Sequence, residues 1–294
     1  MRSIKLQSAM EYLMTYGWAI LIIAVVLGAL FQLGVFNSSS FSPRAPPGAC
    51  QVFRPSGPGT TTNINLMGVC TGQLPQYVAK FNGASGYIDG GNSASLNVGL
   101  SSFTIASWIY FPGALSDVGR IVSKGCGWGA LGWAFRITAT RQAQMDIIFS
   151  GEIETTTTSS TTLGLNTWYF VVATINRNGF MTVYINGVAD GSPTDISASS
   201  AININVAYDF AMGSAQPLTS AQYFKGLISN VQIYNTTLTA NQIQALYLEG
   251  IGGAPMKLQN LVGWWSLNGN SNDYSGNNNN GVPTSVTFTS QYGK

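Results

Sequence analysis

The chain has 294 residues and a formal net charge of +2, contains no histidine, and only 8% of its residues are charged. Soluble proteins average about 25% charged residues, so this composition, with 34 glycines and 12% aromatic residues, is typical of an extracellular β protein. The absence of histidine excludes histidine-based catalytic triads and histidine-ligated zinc, and the chain has no basic block that would indicate nucleic acid as a partner.

An apolar segment lies near the N-terminus. Residues 16–36 include no charged side chain, and at about 1.5 Å per residue they span about 30 Å, the thickness of the hydrocarbon core of a bilayer. Arg2 and Lys5 precede this segment, and the next basic residue is Arg44. The pattern predicts a single-pass membrane helix with a cytoplasmic N-terminus, which places the remaining chain outside the cell.

Lys5-Leu6-Gln7 stand before the apolar segment, and Glu11 follows four residues after Gln7. This pattern resembles the class III signal of archaeal type IV pilin-like proteins, which a prepilin-type peptidase cuts before the Gln. The resemblance implies a leader over 1–6, a pilin-like transmembrane helix over 7–36, and a filament in which Glu11 pairs with the new amino group of a neighbouring subunit. A plain uncleaved anchor, with Glu11 in a helix capping box, is the alternative.

Residues 37–76 contain six of the eleven prolines together with many Gly, Ser and Thr residues. This composition predicts a stalk of extended or polyproline character. Cys50 and Cys70 lie in the stalk, on the oxidising side of the membrane, where a disulfide between them would stabilise by about 3 kcal/mol. Two free thiols are the alternative, and Cys126 is left either buried as a small apolar residue or unpaired in its loop.

Asn37 and Asn235 each begin an Asn-X-Ser/Thr sequon. Such sequons accept N-linked glycans in proteins exposed outside the cell, although they also occur by chance. The extracellular placement of the chain after residue 36 therefore predicts glycosylation at both asparagines.

From residue 77 onward, short stretches alternate apolar with polar residues and are separated by turn signals. The clearest stretches are 103–111, 133–138, 145–149, 168–175, 180–186 and 224–234. In the last of these we expect Leu227, Val231 and Ile233 on one face. A single helix is predicted between Thr239, which caps it, and Gly250, which ends it. Many short strands with one helix predict a mainly β fold, an antiparallel sandwich.

Seven of these stretches resemble, in order, the strands of a laminin-G-like, concanavalin A-like jelly roll. They are residues 77–83, 86–89, 103–109, 121–125, 165–169, 183–187 and 226–235. The resemblance implies that 77–294 form such a domain, with a lectin-like role. It says less about the ligand, because one fold hosts many functions.

Residues 261–277 resemble the segment that usually opens such domains, yet here they come late in the chain. A circular permutation explains this order, because the ends of compact domains often lie close together. The start of a second, truncated domain is the alternative. Permutation is favoured because residues 77–250 would otherwise lack a strand and expose a sheet edge.

The resemblance also implies a calcium site. Laminin-G-like domains often bind calcium through an Asp- and Asn-containing loop, which matches Asp273 and Asn277, with Asp89 as a third ligand. The Asp that the family carries on a neighbouring strand is replaced here by Ser229 and Asn230. Because calcium prefers six or more oxygen ligands, this weakens the site. An Asn-rich turn held by its own hydrogen bonds is the alternative.

Two further features bear on ligand and reaction. Trp128, in the glycine-rich stretch 125–129, is predicted to stack on a sugar ring or a neighbouring subunit, or alternatively to fold back over the sandwich.

Glu152 and Glu154 alternate, so both would face one side, as in glycosidases of concanavalin A-like fold. A Thr/Ser run follows at 155–162, and the fuller acidic motif of those enzymes is absent, so no enzymatic activity is predicted.

Together these features predict a cell-surface adhesion or recognition protein, a pilin-like filament subunit or minor pilin that carries a lectin-like, carbohydrate-binding head. Its predicted partners are the membrane, the prepilin-type peptidase, other copies of the chain, and glycans or surface proteins. A monomeric membrane-anchored module that does not polymerise, a structural filament subunit without a ligand, and a glycoside hydrolase are the alternatives.

Overall fold

The computed structural model describes residues 16, 19–27, 50–53, 61–64, 74–113, 118–126, 131–149, 153–215 and 222–292. The chain divides into two units, Met1–Arg44 and Ala45–Lys294. In the first unit, residues 19–27 are helical and their side chains are exposed. No helix in the described ranges is long and apolar enough to cross a membrane.

The predicted pilin-like segment falls mostly outside the described residues. Leu6, Gln7 and Glu11 are not among them, and only residues 16 and 19–27 of the predicted helix are. The leader, its cleavage, the membrane anchor and the filament contact of Glu11 therefore stay predictions.

The second unit is built from short strands, and every pairing between those described is antiparallel. The strands are β1 (Cys50–Phe53), β2 (Thr61–Ile64), β3 (Val78–Asn82), β4 (Tyr87–Asp89), β5 (Phe103–Tyr110), β6 (Gly119–Gly125), β7 (Gly132–Ile137), β8 (Ala143–Phe149), β9 (Ile153–Thr158), β10 (Trp168–Ile175), β11 (Phe180–Ile185), β12 (Val188–Ala189), β13 (Thr194–Asp195), β14 (Phe210–Met212), β15 (Lys225–Tyr234), β16 (Leu261–Trp265), β17 (Val282–Thr284) and β18 (Thr287–Thr289). The helices described in this unit are α1 (Ala240–Glu249) and the 3-10 turns Ala94–Leu96, Ser197–Ser199 and Leu258–Asn260.

β1 and β2 pair with each other in a two-stranded ribbon of their own. This ribbon lies within residues 37–76, where the composition predicts an extended stalk. Residues 50–53 and 61–64 of that stretch are therefore paired extended strands, and the stalk as a whole stays a prediction.

The other strands form two sheets. The nine-stranded sheet has the order β12-β11-β10-β5-β15-β3-β18, with β13 also beside β11 and β16 also beside β15. The seven-stranded sheet has the order β17-β4-β14-β6-β7-β8-β9. Alternate side chains of both sheets meet in one apolar core, as in a jelly-roll sandwich.

Aromatic rings connect the two sheets through this core. Trp133 of β7 contacts Phe103 of β5, with ring centroids 5.5 Å apart, and Phe210 of β14 at 6.1 Å. Phe210 in turn stacks on Trp265 of β16 at 4.9 Å. β16, which comes late in the chain, therefore contributes to the centre of the core.

Residues 261–289 supply strands to both sheets. β16 pairs with residues 231–234 of β15, and β18 pairs with β3, both in the nine-stranded sheet, whereas β17 pairs with β4 in the seven-stranded sheet. Along one edge of β15, residues 225–228 pair with β3 and residues 231–234 pair with β16. β16 therefore completes the edge of β15 that β3 begins. The segment is part of the same sandwich, as the permutation interpretation requires.

The prediction that Leu227 shares a face of β15 with Val231 and Ile233 is wrong. Val231 and Ile233 lie in the core between the sheets, but Leu227 lies in a second apolar cluster on the outer face of the nine-stranded sheet. The register of β15 against β5 shifts near Asn230, which has a φ of 52°. This bulge adds one residue to β15, and one added residue reverses the alternation of faces.

Helix α1 packs on that outer face. The Thr239 side chain accepts a hydrogen bond from the backbone N–H of Gln242, and the Gln242 side chain accepts one from the backbone N–H of Thr239. This confirms the predicted capping box. Ile243 and Leu246 are buried in the second cluster, and Gly250, with a φ of 79°, ends the helix.

We expect Trp265→Ala to lower the free energy of unfolding by about 3–5 kcal/mol. The ring is fully buried, stacks on Phe210, and donates its indole N–H to the carbonyl oxygen of Asn279 at 2.8 Å. Val282→Ala, at a side chain that is 66% exposed on β17, is the matched control and should change stability by less than about 0.5 kcal/mol. Urea denaturation measures both; an unchanged midpoint for Trp265→Ala would contradict a structural role for β16.

Candidate functional site

The loop after β16 holds Asp273, the first predicted calcium ligand. This carboxylate is buried. Its Oδ1 accepts hydrogen bonds from the backbone N–H groups of Trp264 and Ser275, both at 2.9 Å. Its Oδ2 accepts from the backbone N–H of Asn279 and the Ser275 hydroxyl, also at 2.9 Å. Four protein donors thus occupy the positions that a cation would take, which is the arrangement of a self-bonded turn.

Asn277 and Asp89, the other predicted ligands, also bond to the chain. The Asn277 amide donates to the carbonyl oxygens of Leu261 and Val262 at 3.2 and 3.3 Å, and Asp89 accepts from the backbone N–H of Gly91 at 2.9 Å. In the part of the chain that the structure describes, no three His, Cys, Asp or Glu side chains group as metal ligands. The residues in this arrangement do not fit a calcium ion, and calcium binding stays a prediction that requires the loop to rearrange.

Several other predicted site residues fall outside what the structure describes. They are Trp128, Cys70, Asn37 and the side chain of Cys50. Sugar stacking by Trp128, the Cys50–Cys70 disulfide and glycosylation of Asn37 therefore stay predictions. Asn235 is described: it is exposed directly after β15, and its side-chain oxygen accepts a hydrogen bond from the Asn260 amide at 3.0 Å. Its glycosylation also stays a prediction.

One of the two carboxylates considered for hydrolysis lies on the seven-stranded sheet. Glu152 is outside the described ranges, whereas the half-exposed Glu154 of β9 lies 3.7 Å from the guanidinium of Arg136. The same guanidinium contacts Asp146 of β8 at 2.5 Å, and Asp146 is fully buried. Because a fully buried carboxylate cannot reach a substrate, we interpret this group as a structural ion pair.

Burial changes the titration of two groups on this sheet. It raises the pKa of Asp146 to about 6, and the neighbouring Arg136 offsets this only in part. It raises the pKa of the Cys126 thiol to about 11, so the thiol stays protonated at neutral pH and is not reactive. Cys126 packs with Ala134 and Ile148. Of the two predicted alternatives for this cysteine, it is therefore the one buried as a small apolar residue.

A cavity of about 470 Å³ opens on the outer face of the nine-stranded sheet, where α1 does not cover it. Strands β3, β5 and β15 form its floor, and β18 with the residues after it forms one wall. We call it the lysine cavity; its main lining residues are Lys80, Tyr110, Lys225, Leu227, Thr289 and Gln291.

Strand register brings the floor residues onto one face. Leu227 of β15 lies opposite Lys80 of β3 and, on its other side, opposite Tyr110 of β5. Lys225 lies two residues before Leu227 and so faces the same side. Leu227 and Tyr110 are buried, whereas both lysines are exposed. The Tyr110 hydroxyl donates to the side-chain oxygen of Asn166 at 3.2 Å. The floor is therefore apolar, and its rim carries hydroxyl, amide and ammonium groups.

The wall is held by contacts of the C-terminal segment. The Thr289 hydroxyl accepts a hydrogen bond from the backbone N–H of Gln291 at 3.0 Å. Tyr292 packs against Trp168 of β10, with ring centroids 6.2 Å apart, and its carbonyl oxygen accepts the indole N–H at 3.3 Å. These contacts fix Thr289 and Gln291 at the edge of the cavity.

Sequence reasoning missed the lysine cavity because its residues come from four strands and the loops beside them, which are distant in the chain. The available signal was the alternation in β3, which places Lys80 on the face opposite Ala79 and Phe81. That signal does not distinguish a lysine beside a cavity from a lysine on an open surface. The strand pairing supplies the missing information.

A smaller cavity of about 290 Å³ lies beside Trp264. The Trp264 indole donates to the Asn230 side-chain oxygen at 2.8 Å, and its ring meets Tyr274 edge-on at 5.8 Å. The Asn230 amide nitrogen donates to Gly253, and the Asn268 side-chain oxygen accepts from the backbone of Tyr77. The side-chain oxygens of Asn230 and Asn268 thus already accept hydrogen bonds from the chain, and this cavity is smaller than the lysine cavity.

A family model described as the concanavalin A-like lectin/glucanases superfamily matches residues 82–244, more than half of the chain. The match includes β4 through β15 and the first part of α1. No curated protein matches the chain.

Several solved structures resemble this chain, and one of them, aligned with a TM-score above 0.5, shares its fold. A Bacteroides ovatus protein with a proposed carbohydrate-binding role aligns with a TM-score of 0.56 at 19% identity, covering 74% of this chain and 61% of that one. A heptameric SAP-like pentraxin from Limulus polyphemus aligns at 0.47 with 14% identity over 61% and 85% of the two chains. The receptor-binding domain of botulinum neurotoxin D aligns at 0.47 with 17% identity over 61% and 46%. This chain thus spans less than two thirds of the first structure's length.

We expect Asp146→Asn to change how stability depends on pH. The pKa of Asp146 is raised from 3.8 to about 6 in the folded chain, so the native state binds this proton more tightly than the unfolded state. The stability that follows is fully present below about pH 4 and is lost as the pH rises through about 6, a loss of about 3 kcal/mol.

Urea denaturation of the wild type and Asp146→Asn between about pH 4 and pH 7 measures this difference. The unfolding free energy of the wild type should fall relative to that of the variant across this range. Asp195→Asn is the control of opposite sign, because hydrogen bonding from Ser197 lowers the pKa of that exposed carboxyl. If the unfolding free energies of the wild type and Asp146→Asn change with pH in parallel, the raised pKa of Asp146 is contradicted.

Proposed function

Because the chain belongs to the concanavalin A-like lectin/glucanase superfamily, we propose that it binds carbohydrate, and that the lysine cavity is the binding site. The observation that carries this proposal is the division of the lining into an apolar floor and a polar rim. The floor is formed by Tyr110 and Leu227, and Thr289, Gln291 and Asn166 provide polar groups above it.

This division suits a sugar ring. A pyranose has C–H groups on its faces and hydroxyl groups around its edge, so it binds where an apolar surface meets convergent hydrogen-bonding groups. The Thr and Tyr hydroxyls and the Asn and Gln amides can each donate or accept, as sugar hydroxyls do. The volume of about 470 Å³ lies within the range of ligand-binding cavities.

We propose binding without catalysis. Glycoside hydrolysis generally needs two carboxyl groups beside the bond that breaks. The described lining of the lysine cavity includes no Asp or Glu, and the carboxylate with a pKa near 6, Asp146, is buried on the other sheet. A lectin-like module is therefore favoured over the glycoside hydrolase.

We also propose that this head serves adhesion at the cell surface as part of a pilin-like protein. The support is the resemblance of residues 1–36 to a class III signal and its helix, and the low charge content of the chain. A monomeric anchored module stays the alternative, since filament assembly depends on residues outside the described ranges.

A glycan array probed with the full chain tests the binding site. We expect the wild type to bind at least one glycan class and Thr289→Trp to bind it at least about tenfold more weakly, because the indole fills the cavity. Thr284→Trp, the same change at an exposed position of β17, is the matched control and should bind like the wild type. If both variants lose glycan binding equally, or if neither loses it, the glycan does not bind in the lysine cavity. If the wild type binds no glycan, the proposal of carbohydrate binding is overturned.

N-terminal sequencing of the chain from its native membrane tests the pilin-like processing. We expect the mature chain to begin at Gln7, because Leu6, Gln7 and Glu11 match the peptidase motif. A start at Met1 or Arg2 would favour the uncleaved anchor.

A further inference from the structure

We propose that the carbohydrate bound in the lysine cavity is acidic, and that its carboxylate or sulfate group lies between Lys80 and Lys225. This inference rests on the proposed function and names the class of sugar. It follows from the position of the two ammonium groups, from the absence of a described partner for either, and from the apolar floor beside them.

The two lysines stand on neighbouring strands and on the same face. Lys80 of β3 lies opposite Leu227, and Lys225 of β15 lies opposite Asn82. This places the lysines on a diagonal of the antiparallel pair, where such positions are about 7–8 Å apart. Both side chains are exposed, and each has a flexible stem of four carbons. Both ammonium groups can therefore reach one anion placed between them.

Neither lysine is neutralised within the described structure. The ion pairs found there join Arg136 to Asp146 and Glu154, and no described hydrogen bond or ion pair involves the ammonium group of Lys80 or Lys225. Like charges on a cross-strand diagonal repel each other. An anion bound between them replaces this repulsion with two charge-assisted hydrogen bonds, which are about twice as strong as neutral ones.

The nearby backbone holds Lys225 beside the cavity. Gly83 has a φ of 75°, and a Cβ atom there would come within 2.6 Å of the Lys225 Cβ. The hairpin between β3 and β4 therefore packs directly on the base of the Lys225 side chain. Asn82 stabilises this turn, because its side-chain oxygen accepts the backbone N–H groups of Ala84, Ser85 and Gly86, each at 2.9 Å. The stem of Lys225 thus starts from a fixed position.

A sugar acid fits these features better than other anions. A free phosphate or sulfate would contact the lysines but leave Tyr110, Leu227 and Pro112 without a partner. Recognition of anionic lipid usually needs about 4–8 clustered basic residues, and nucleic acid a basic stripe, whereas the described lining of the cavity has two. A ring with one acidic group uses both the ammonium pair and the apolar floor.

The test uses the full chain and matched sugar pairs that differ in one group. These are oligosaccharides ending in glucuronate or glucose, in galacturonate or galactose, and in sulfated or unsulfated galactose. We expect at least one acidic member to bind at least about tenfold more tightly than its neutral partner at low ionic strength. The preference should shrink as salt rises from about 0.01 to 1 M, because the rim is exposed to solvent and screened.

The double variant Lys80→Gln/Lys225→Gln should lose this preference, so that the acidic and neutral members of a pair bind equally tightly. Arg141→Gln/Lys257→Gln removes the same charge outside the cavity, so it is the matched control and should keep the preference. Urea denaturation of each variant reports on folding, so that a loss of binding caused by unfolding is recognised.

The outcomes separate this inference from the proposed function. Equal binding of acidic and neutral sugars by the wild type, or a preference that survives in the double lysine variant, would overturn the inference and leave carbohydrate binding intact. Binding of no sugar would overturn both. Binding of inorganic sulfate, phosphatidylserine vesicles or an oligonucleotide as tight as that of the acidic sugar would show that the lysines recognise charge alone and would also overturn the inference.

Discussion

The pairing of β15 on both of its edges is the constraint on which the sandwich depends. One edge pairs with β5 along most of its length, and the other is shared by β3 and β16. Backbone N–H and C=O groups buried without partners would be costly, so the strand is stable only when all three neighbours are present. The bulge near Asn230 then divides the strand: Leu227, before it, supports the outer cluster under α1, and Val231, after it, supports the core. The floor of the lysine cavity and the closure of the core are thus two consequences of one strand.

Much of the fold could be predicted from local pattern. Alternation located most strands, and Thr239 with Gln242 located the start of α1, because caps and alternation depend on residues that are near in sequence. The face of Leu227 could not be predicted, since the bulge depends on a single left-handed residue, Asn230, and one added residue reverses every later position. The candidate site could be predicted least. Lys80 and Lys225 are unremarkable in sequence, and only the register of β3 against β15 brings them together.

Polar residues in this domain fall into two groups according to what already bonds to them. Asp273 and Lys124 are buried, and each forms its hydrogen bonds with the chain itself. Four donors surround the Asp273 carboxylate, and Lys124 donates to the carbonyl oxygen of Tyr208 at 2.8 Å. Both residues hold loops in place and have little hydrogen-bonding capacity left for a ligand. Lys80 and Lys225 are the opposite case, because both are exposed beside an apolar floor. The amino-acid composition does not distinguish the two groups. The hydrogen bonds around each side chain show which polar residues stabilise the fold and which can bind a ligand.

Folding during synthesis depends on three strands that come late in the chain, β16, β17 and β18. β18 pairs with β3, a strand about two hundred residues earlier, and β16 completes an edge of β15. Contacts between such distant strands form slowly, since a long loop must close before they stabilise anything. While the chain is being made, β3 and part of β15 therefore present open edges until residue 289 has left the ribosome. Open edges are where nascent β proteins associate wrongly, so a chaperone that shields strand edges would matter most for this chain during that interval.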